Sequence, residues 1–430
     1  MSKLLVFCID ALCASDIEAM RAMPHFGALL ERGALVERIE PVLPALTYSC
    51  HTTILTGTYA GRHGIVHNEK LTRGGILNAP WHCMKSDVHG DTLLDIARKH
   101  GLSTCSLSWP VSGGADYDMN MPMIVPYGYQ GYEPQKWLEG TATKNLMERY
   151  FYKHGRYLMG PSRSLDLFTM ALALDILEDG PQPDVMLVKL CDLDSVRHTY
   201  GVYHEETHTQ LRMHDEQLGA LLECLRRKGT LEDTNVVVLG DHGQTDIRDA
   251  FLMNVFLKQR GLLTAAPDGS IESFDAVCHS TGLAALIEVR DPGDAALMRR
   301  VRGVLEELRQ DASVQLNLVL DARQAQERYG LSGPFDFVVE SALPIAFGEY
   351  AGGEALWRSR QPGDKKTGMA THGGSPKREE LTTFFGAGPA LRHTILPDSR
   401  PMVDEAPTMA AMLGLEMPGV DGAPILEILR

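Results

Sequence analysis

The 430-residue chain is 44% hydrophobic and 23% charged, with a formal net charge of -15. An acidic surface disfavours nucleic-acid polymers and anionic membranes as partners, yet it leaves room for an anionic small molecule held by metal ions. The length exceeds the usual span of one hydrophobic core, so two lobes, or one large domain with an insert, are expected.

"MSKLLVFCID" is too short for a secretory signal, and no later stretch approaches the roughly 20 apolar residues of a membrane span. Residues 3–10 read as a buried strand that delivers Asp10, followed by helical periodicity over 16–32. "PALTYSCHTTILTG" (44–57) crowds Thr47, Ser49, His51, Thr52 and Thr53 into one stretch. Either these residues cap and pack a helix, or one hydroxyl is a nucleophile with an anion seated on the helix behind it. A helix over 92–100 and a strand over 102–109 come next. Residues 108–137 carry Tyr117, Tyr127 and Tyr129, which read as pocket wall or as surface packing. Then follow a helix over 165–178, a strand over 184–192, a helix over 204–227 closing on cations and glycine, and a strand over 234–243. Strands alternating with helices predict a doubly wound, mostly parallel sheet with helices on both faces.

After about Phe251 the rhythm changes. A strand over 279–289, a helix over 295–309 and a strand over 334–341 predict a β-α-β unit of their own. Residues 1–250 and 351–430 are therefore expected to form an α/β core, and 251–350 a small inserted α+β lobe that caps it. "QPGDKKTGMATHGG" brings the chain back, and "LTTFFGAGPAL" supplies a late strand. The eight cysteines are scattered without a CxxC pair, which fits reduced thiols in a cytoplasmic protein.

Three of the apolar runs end in acids. "VFCID" delivers Asp10, "LVKLCDLDSVRH" delivers Asp192, Asp194 and His198, and "VVVLGDHG" delivers Asp241 and His242. Ligands bind beyond the carboxyl ends of strands in open α/β sheets, so neighbouring strands would gather these groups in one crevice. Clustered carboxylates repel unless a cation sits among them. Aspartates and imidazoles without thiolates suit zinc, with manganese or iron as other occupants. His372 in "THGG" is a further imidazole, and three aspartates with three histidines suit two ions better than one.

The stretches "FCIDAL", "PALTYSCHTTILTGTYAGRHGIVHN", "DLDSVRHTYG", "GDHGQTD", "ATHGG" and "VDEAPTMAAMLGLEMPGVDG" span nearly the whole chain. In content and order they resemble the alkaline phosphatase superfamily, close to its type I phosphodiesterase/nucleotide pyrophosphatase branch. The resemblance implies one metal on Asp194, His198 and His372, and another on Asp10, Asp241 and His242 with the Thr47 hydroxyl. It further implies that Thr47 is the nucleophile, that Asn68 donates to a phosphoryl oxygen, and that Tyr48 packs on the substrate. The implied activity is metal-dependent hydrolysis of phosphate diesters or nucleotide pyrophosphates through a phosphothreonine. Cofactors would be two divalent ions, zinc first; the partner is a small phosphoester, with homo-oligomers left open.

Ser49, His51, Thr52 and Thr53 then read as capping or core residues, His63 and His67 as structural, and Asp192 as a turn or outer residue. Phosphonoacetate hydrolysis is the main rival, with Lys70 the nearby lysine for a carboxylate. A phosphomonoesterase is the lesser rival, because the sequence offers no clear third metal site or phosphate-clamping arginine; Arg62 and Arg197 read as surface residues. A non-catalytic metal-binding protein would close a structural site with four protein ligands and has no use for a hydroxyl placed beside them.

Overall fold

The computed structural model describes residues 2–74, 79–123, 134–159, 163–378 and 380–430. Along the chain come β1 (Lys3–Ile9), β2 (Ala34–Glu40), helix α1 (Thr47–Thr56), β3 (Thr104–Leu107), β4 (Met119–Met121), β5 (Val185–Leu190), α2 (Asp192–Tyr200), α3 (Glu205–Lys228) and β6 (Thr234–Gly240). A second group follows: β7 (Ala276–Ser280), β8 (Ala284–Val289), β9 (Leu316–Asp321) and β10 (Phe337–Ser341). The chain then returns with β11 (Thr382–Ala387), β12 (Thr394–Leu396) and β13 (Arg400–Pro401).

The central sheet runs β12-β2-β11-β6-β1-β5-β3-β4, with β13 also on β2. Only β11 is antiparallel to its neighbours. Alternation along β1 explains the layering: Leu5, Phe7 and Ile9 enter one core, and Leu4, Val6 and Cys8 the other. Helices Pro24–Arg32, Leu165–Asp179 and α3 cover the first face, and α1, Leu93–Lys99 and Glu405–Met412 the second. Burial on both faces is why these strands read as unbroken apolar runs. Each fully buried Leu, Val, Ile or Phe contributes about 1.5–3 kcal/mol of transfer free energy.

Three local expectations change. The helix expected over 16–32 is two helices, Ile17–Arg21 and Pro24–Arg32, because Pro24 has no N–H and forces Met23 into extended geometry (ψ 146). Residues 34–40 form β2, whose Glu37, Arg38 and Glu40 disguise the apolar alternation. The strand expected over 279–289 is a hairpin, β7 and β8, turning at Gly282 with φ +98. The lobe sheet is consequently antiparallel, in the order β7-β8-β10-β9, rather than a β-α-β unit. Helix Ala295–Gln310 joins β8 to β9, which are not neighbours. A ribbon of Asp249–Leu252, Ile345–Gly348 and Trp357–Ser359 fastens the two ends of the lobe together. Among the described residues no helix is long and apolar enough to cross a membrane.

Candidate active site

β1 lies between β5 and β6, and Ile9 is level with both Leu190 and Gly240. The next residues therefore emerge together at the carboxyl edge: Asp10 after β1, α2 after β5, and Asp241 and His242 after β6. On α2, Asp194 and His198 are one turn apart, with Oδ1 and Nε2 at 3.0 Å. His372 arrives from the returning segment and stacks on His242, ring centroids 3.8 Å apart at 11°.

Ligand atoms of Asp10, Asp241 and His242 lie within 4.8 Å of one another, as do those of Asp194, His242 and His372. His242 thus stands between the two groups. The imidazoles are oriented by the backbone: Nδ1 of His198, His242 and His372 lies 2.9, 3.0 and 2.7 Å from the carbonyls of Ala370, Gly243 and Ala45. A carbonyl only accepts, so each Nδ1 donates and each Nε2 faces the acids, where it can carry a proton or a metal. That is how metal-ligating histidines are held. Asp10 Oδ1, Asp241 Oδ2 and His198 Nε2 are buried and make no hydrogen bond. Each such orphan costs about 1–3 kcal/mol unless something satisfies it, and divalent cations fit this oxygen and imidazole set.

The electrostatics agree. Burial, then repulsion from Asp241, pushes the Asp10 carboxyl up to about 7 against the pull of Lys189. Burial acts the same way on Asp194, but His198 and Lys365 outweigh it and hold that carboxyl well below the usual range. Burial and the neighbouring His242 keep the His372 imidazole neutral.

Thr47 opens α1, with its Oγ 3.3 Å from His242 Nε2. The residue before it, Leu46, is extended and makes no side-chain cap, so the positive end of the helix lies at the Thr47 hydroxyl. The threonine hydroxyls further along are spoken for: Thr52 and Thr56 donate to the carbonyls of Tyr48 and Thr52 at 2.7 and 2.8 Å, and Thr53 meets His63 Nε2 at 3.0 Å, while the Ser49 hydroxyl is buried without a hydrogen bond among the described residues. Asn68 accepts from the Tyr48 amide through Oδ1 at 3.1 Å, which orients its side chain beside Thr47. The cavity over these groups measures about 260 Å³. Tyr48 and Trp81 meet edge to face on its wall, centroids 5.3 Å apart, and Trp81 escapes any reading of sequence alone.

Two more residues touch the acid cluster without a sequence signal. His51, expected in the core, is indeed buried, but its Nδ1 lies 2.7 Å from the Thr47 carbonyl and 3.2 Å from Asp241 Oδ2. Lys189 looks like an interruption in β5; its ammonium is buried and 2.6 Å from Asp10 Oδ2. Removing one partner of a buried pair costs about 3–5 kcal/mol. Lys189→Met should accordingly lower unfolding free energy by that order in chemical denaturation of the metal-free protein.

Other expectations are redirected. Lys70 pairs with Asp87 at 2.8 Å, while Lys365 and Lys366 line the cavity instead. Arg62 is exposed and pairs with Asp421, whereas Arg197 is fully buried, gripping Asp16 at 2.6 and 2.7 Å rather than lying on the surface. Asp192 accepts from Ser164 at 2.7 Å, outside the acid cluster. Tyr117 is buried with its hydroxyl 2.9 Å from Thr92 Oγ1, so it packs rather than lining the cavity; Tyr127 and Tyr129 lie outside the described residues.

Residues 4–339 match the family model described as type I phosphodiesterase / nucleotide pyrophosphatase. The chain belongs to that family. Among curated members, a venom phosphodiesterase of Macrovipera lebetinus is 25% identical over 251 residues, 57% of this chain and 26% of that protein. Ectonucleotide pyrophosphatase/phosphodiesterase family member 7 of Mus musculus is 22% identical over 236 residues, covering 52% of this chain and 46% of that protein. The chain thus spans only about a quarter to a half of the length of these relatives. Murine ectonucleotide pyrophosphatase / phosphodiesterase 5 superposes along both whole chains with TM-score 0.66 at 16% identity. An inactive threonine-to-alanine form of it, in complex with AMP, matches with TM-score 0.66 at 15% identity.

Proposed function

We propose that this protein is a metal-dependent hydrolase of phosphate diesters or nucleotide pyrophosphates that works through a covalent phosphothreonine at Thr47. The observation that carries the reading is the Thr47 hydroxyl, at the start of α1 and 3.3 Å from His242, beside acids with unsatisfied oxygens. Membership of the family and the likeness to a phosphodiesterase fold whose inactive form lacks a threonine support it.

Asp194, His198 and His372 would hold one divalent ion, and Asp10, Asp241 and His242 the other together with Thr47. Bound there, zinc ions would lower the pKa of the Thr47 hydroxyl and neutralise phosphoryl charge. Thr47 Oγ then attacks phosphorus in line, the bond to the leaving oxygen breaks, and the phosphoryl group remains on Thr47. The Asn68 side-chain NH₂ and the positive end of α1 stabilise the equatorial oxygens, a positioning and electrostatic role. Tyr48 and Trp81 bound the apolar side of the cavity, where a base or aryl group packs. Water attacking the phosphothreonine restores the hydroxyl. The lobe within 251–350 caps the site, since Thr281 lies on the cavity wall and the Ser280 carbonyl accepts from His67 at 3.1 Å.

Cleavage of a phosphorus–carbon bond is the second reading, favoured by Lys365 on the cavity wall. Nitrophenol release from a diester and a monoester, alongside phosphate release from phosphonoacetate, separates the two. The diester should be turned over fastest by the zinc-loaded protein, and a preference for phosphonoacetate would overturn the assignment.

A further inference from the structure

Asn68 has a neutral side chain that no metal ion would hold in place, so its aim depends on its neighbours. A backbone amide only donates, so the Asn68 side-chain oxygen faces the Tyr48 N–H at 3.1 Å, and its NH₂ is left for the cavity that Asn68 lines. Its own carbonyl accepts from the His82 amide at 2.9 Å. The residues on either side of it both reach into the inserted lobe, and they reach the same residue there.

On one side, His67 Nε2 donates to the Ser280 carbonyl at 3.1 Å, while its Nδ1 accepts from the Glu69 amide at 3.0 Å. Only the neutral imidazole with its proton on Nε2 satisfies both partners. Burial, then the Lys366 charge, keeps that imidazole neutral. On the other side, the Glu69 carboxylate accepts from the Lys366 ammonium at 3.1 Å, Lys366 donates to Glu349 at 2.7 Å, and Glu349 accepts from the Ser280 amide at 2.9 Å. Lys366 is committed to these two carboxylates, so it links core to lobe rather than binding substrate. Ser280 is a firm anchor: it is fully buried at the end of β7, and its hydroxyl donates to the Phe347 carbonyl at 2.5 Å and accepts from the Gly282 amide at 3.0 Å.

We infer that the lobe takes part in catalysis by aiming Asn68, with His67 and Lys366 as positioning residues that join Ser280 to its two flanks. This rests on the phosphohydrolase reading above. Misplacing a group that contacts the reacting phosphoryl by about 1 Å costs on the order of 100-fold in rate. A tie that merely fastened the lobe to the core would instead act on the rate independently of Asn68.

The test is a double-mutant cycle on the zinc-loaded protein with the nitrophenyl ester of thymidine 5′-monophosphate. His67→Leu should lower kcat about 10- to 100-fold with metal content retained. In an Asn68→Ala background the same substitution should cost less than about twofold more. His67→Gln, which keeps a donor for the Ser280 carbonyl, should recover most of the rate. Lys366→Met should show the same dependence on Asn68, and it decides the matter if His67→Leu does not fold. Metal content is followed because the Leu283 amide of the same turn donates to the His372 carbonyl at 2.9 Å. Equal losses with and without Asn68, unchanged kcat in both single variants, or loss of bound metal would mean that the network only fastens the lobe, and the proposal fails. A wild type inactive on the ester, or an Asn68→Ala variant with near-native kcat, sinks the phosphohydrolase reading or the place of Asn68 in it. That failure is distinct from an additive cycle in an active enzyme.

Discussion

Thr47→Ala is expected to abolish turnover, lowering kcat by at least about 10⁴-fold, as removal of a covalent nucleophile does. It should leave the fold and the metal content intact. Alanine has a higher helix propensity than threonine, and the Thr47 side chain does not cap α1, whose preceding residue Leu46 is extended. Six other side chains proposed as metal ligands remain: Asp10, Asp194, His198, Asp241, His242 and His372. Kinetics, metal analysis and thermal unfolding on one preparation check all three statements. Near-native turnover in the variant would remove Thr47 from the mechanism. Thr47→Ser keeps a hydroxyl at the same place and should retain part of the rate.

Metal removal should have the next largest effect. Stripping the protein with a chelator is expected to reduce hydrolysis to background and to lower the thermal midpoint. The physical reason is the arrangement around His242, where Asp10 Oδ1 and Asp241 Oδ2 are buried without hydrogen bonds. Burial and repulsion push Asp10 up to about 7, which marks the carboxylate pair as unfavourable when no cation lies between its members. A ligand present at a thousandfold excess over its Kd stabilises by about 4 kcal/mol per site, so two sites give a shift that calorimetry resolves easily. Zinc added back should restore both midpoint and rate. A metal-stripped protein with unchanged rate would rule out metal-dependent catalysis.

Much of the site was legible because its parts obey local rules. Asp10, Asp194 and Asp241 follow buried strands whose carboxyl ends coincide, and only topology was needed to bring them together. Asp194 and His198 share a helix face through their spacing alone. Lys189 and Trp81 were not legible. Lys189 sits in an apolar strand and is explained only by the across-sheet neighbour Asp10, while Trp81 reaches Tyr48 from a segment with no periodic signal. Arg197 misled for the opposite reason: most arginines are solvated, but this one is buried against Asp16. The lobe is legible only in part: the run over 279–289 hides a hairpin, since the turn at Gly282 depends on a backbone conformation that composition does not announce, and β9 is not among the strands the sequence predicts.

The stereochemical course at phosphorus tests the covalent mechanism most directly. With a chiral phosphorothioate diester and isotopically labelled water, two successive in-line displacements through Thr47 give overall retention of configuration, and brief quenching should trap the adduct on the Thr47 peptide. Inversion, with no adduct at any time point, would show that water attacks the substrate directly and would contradict the account.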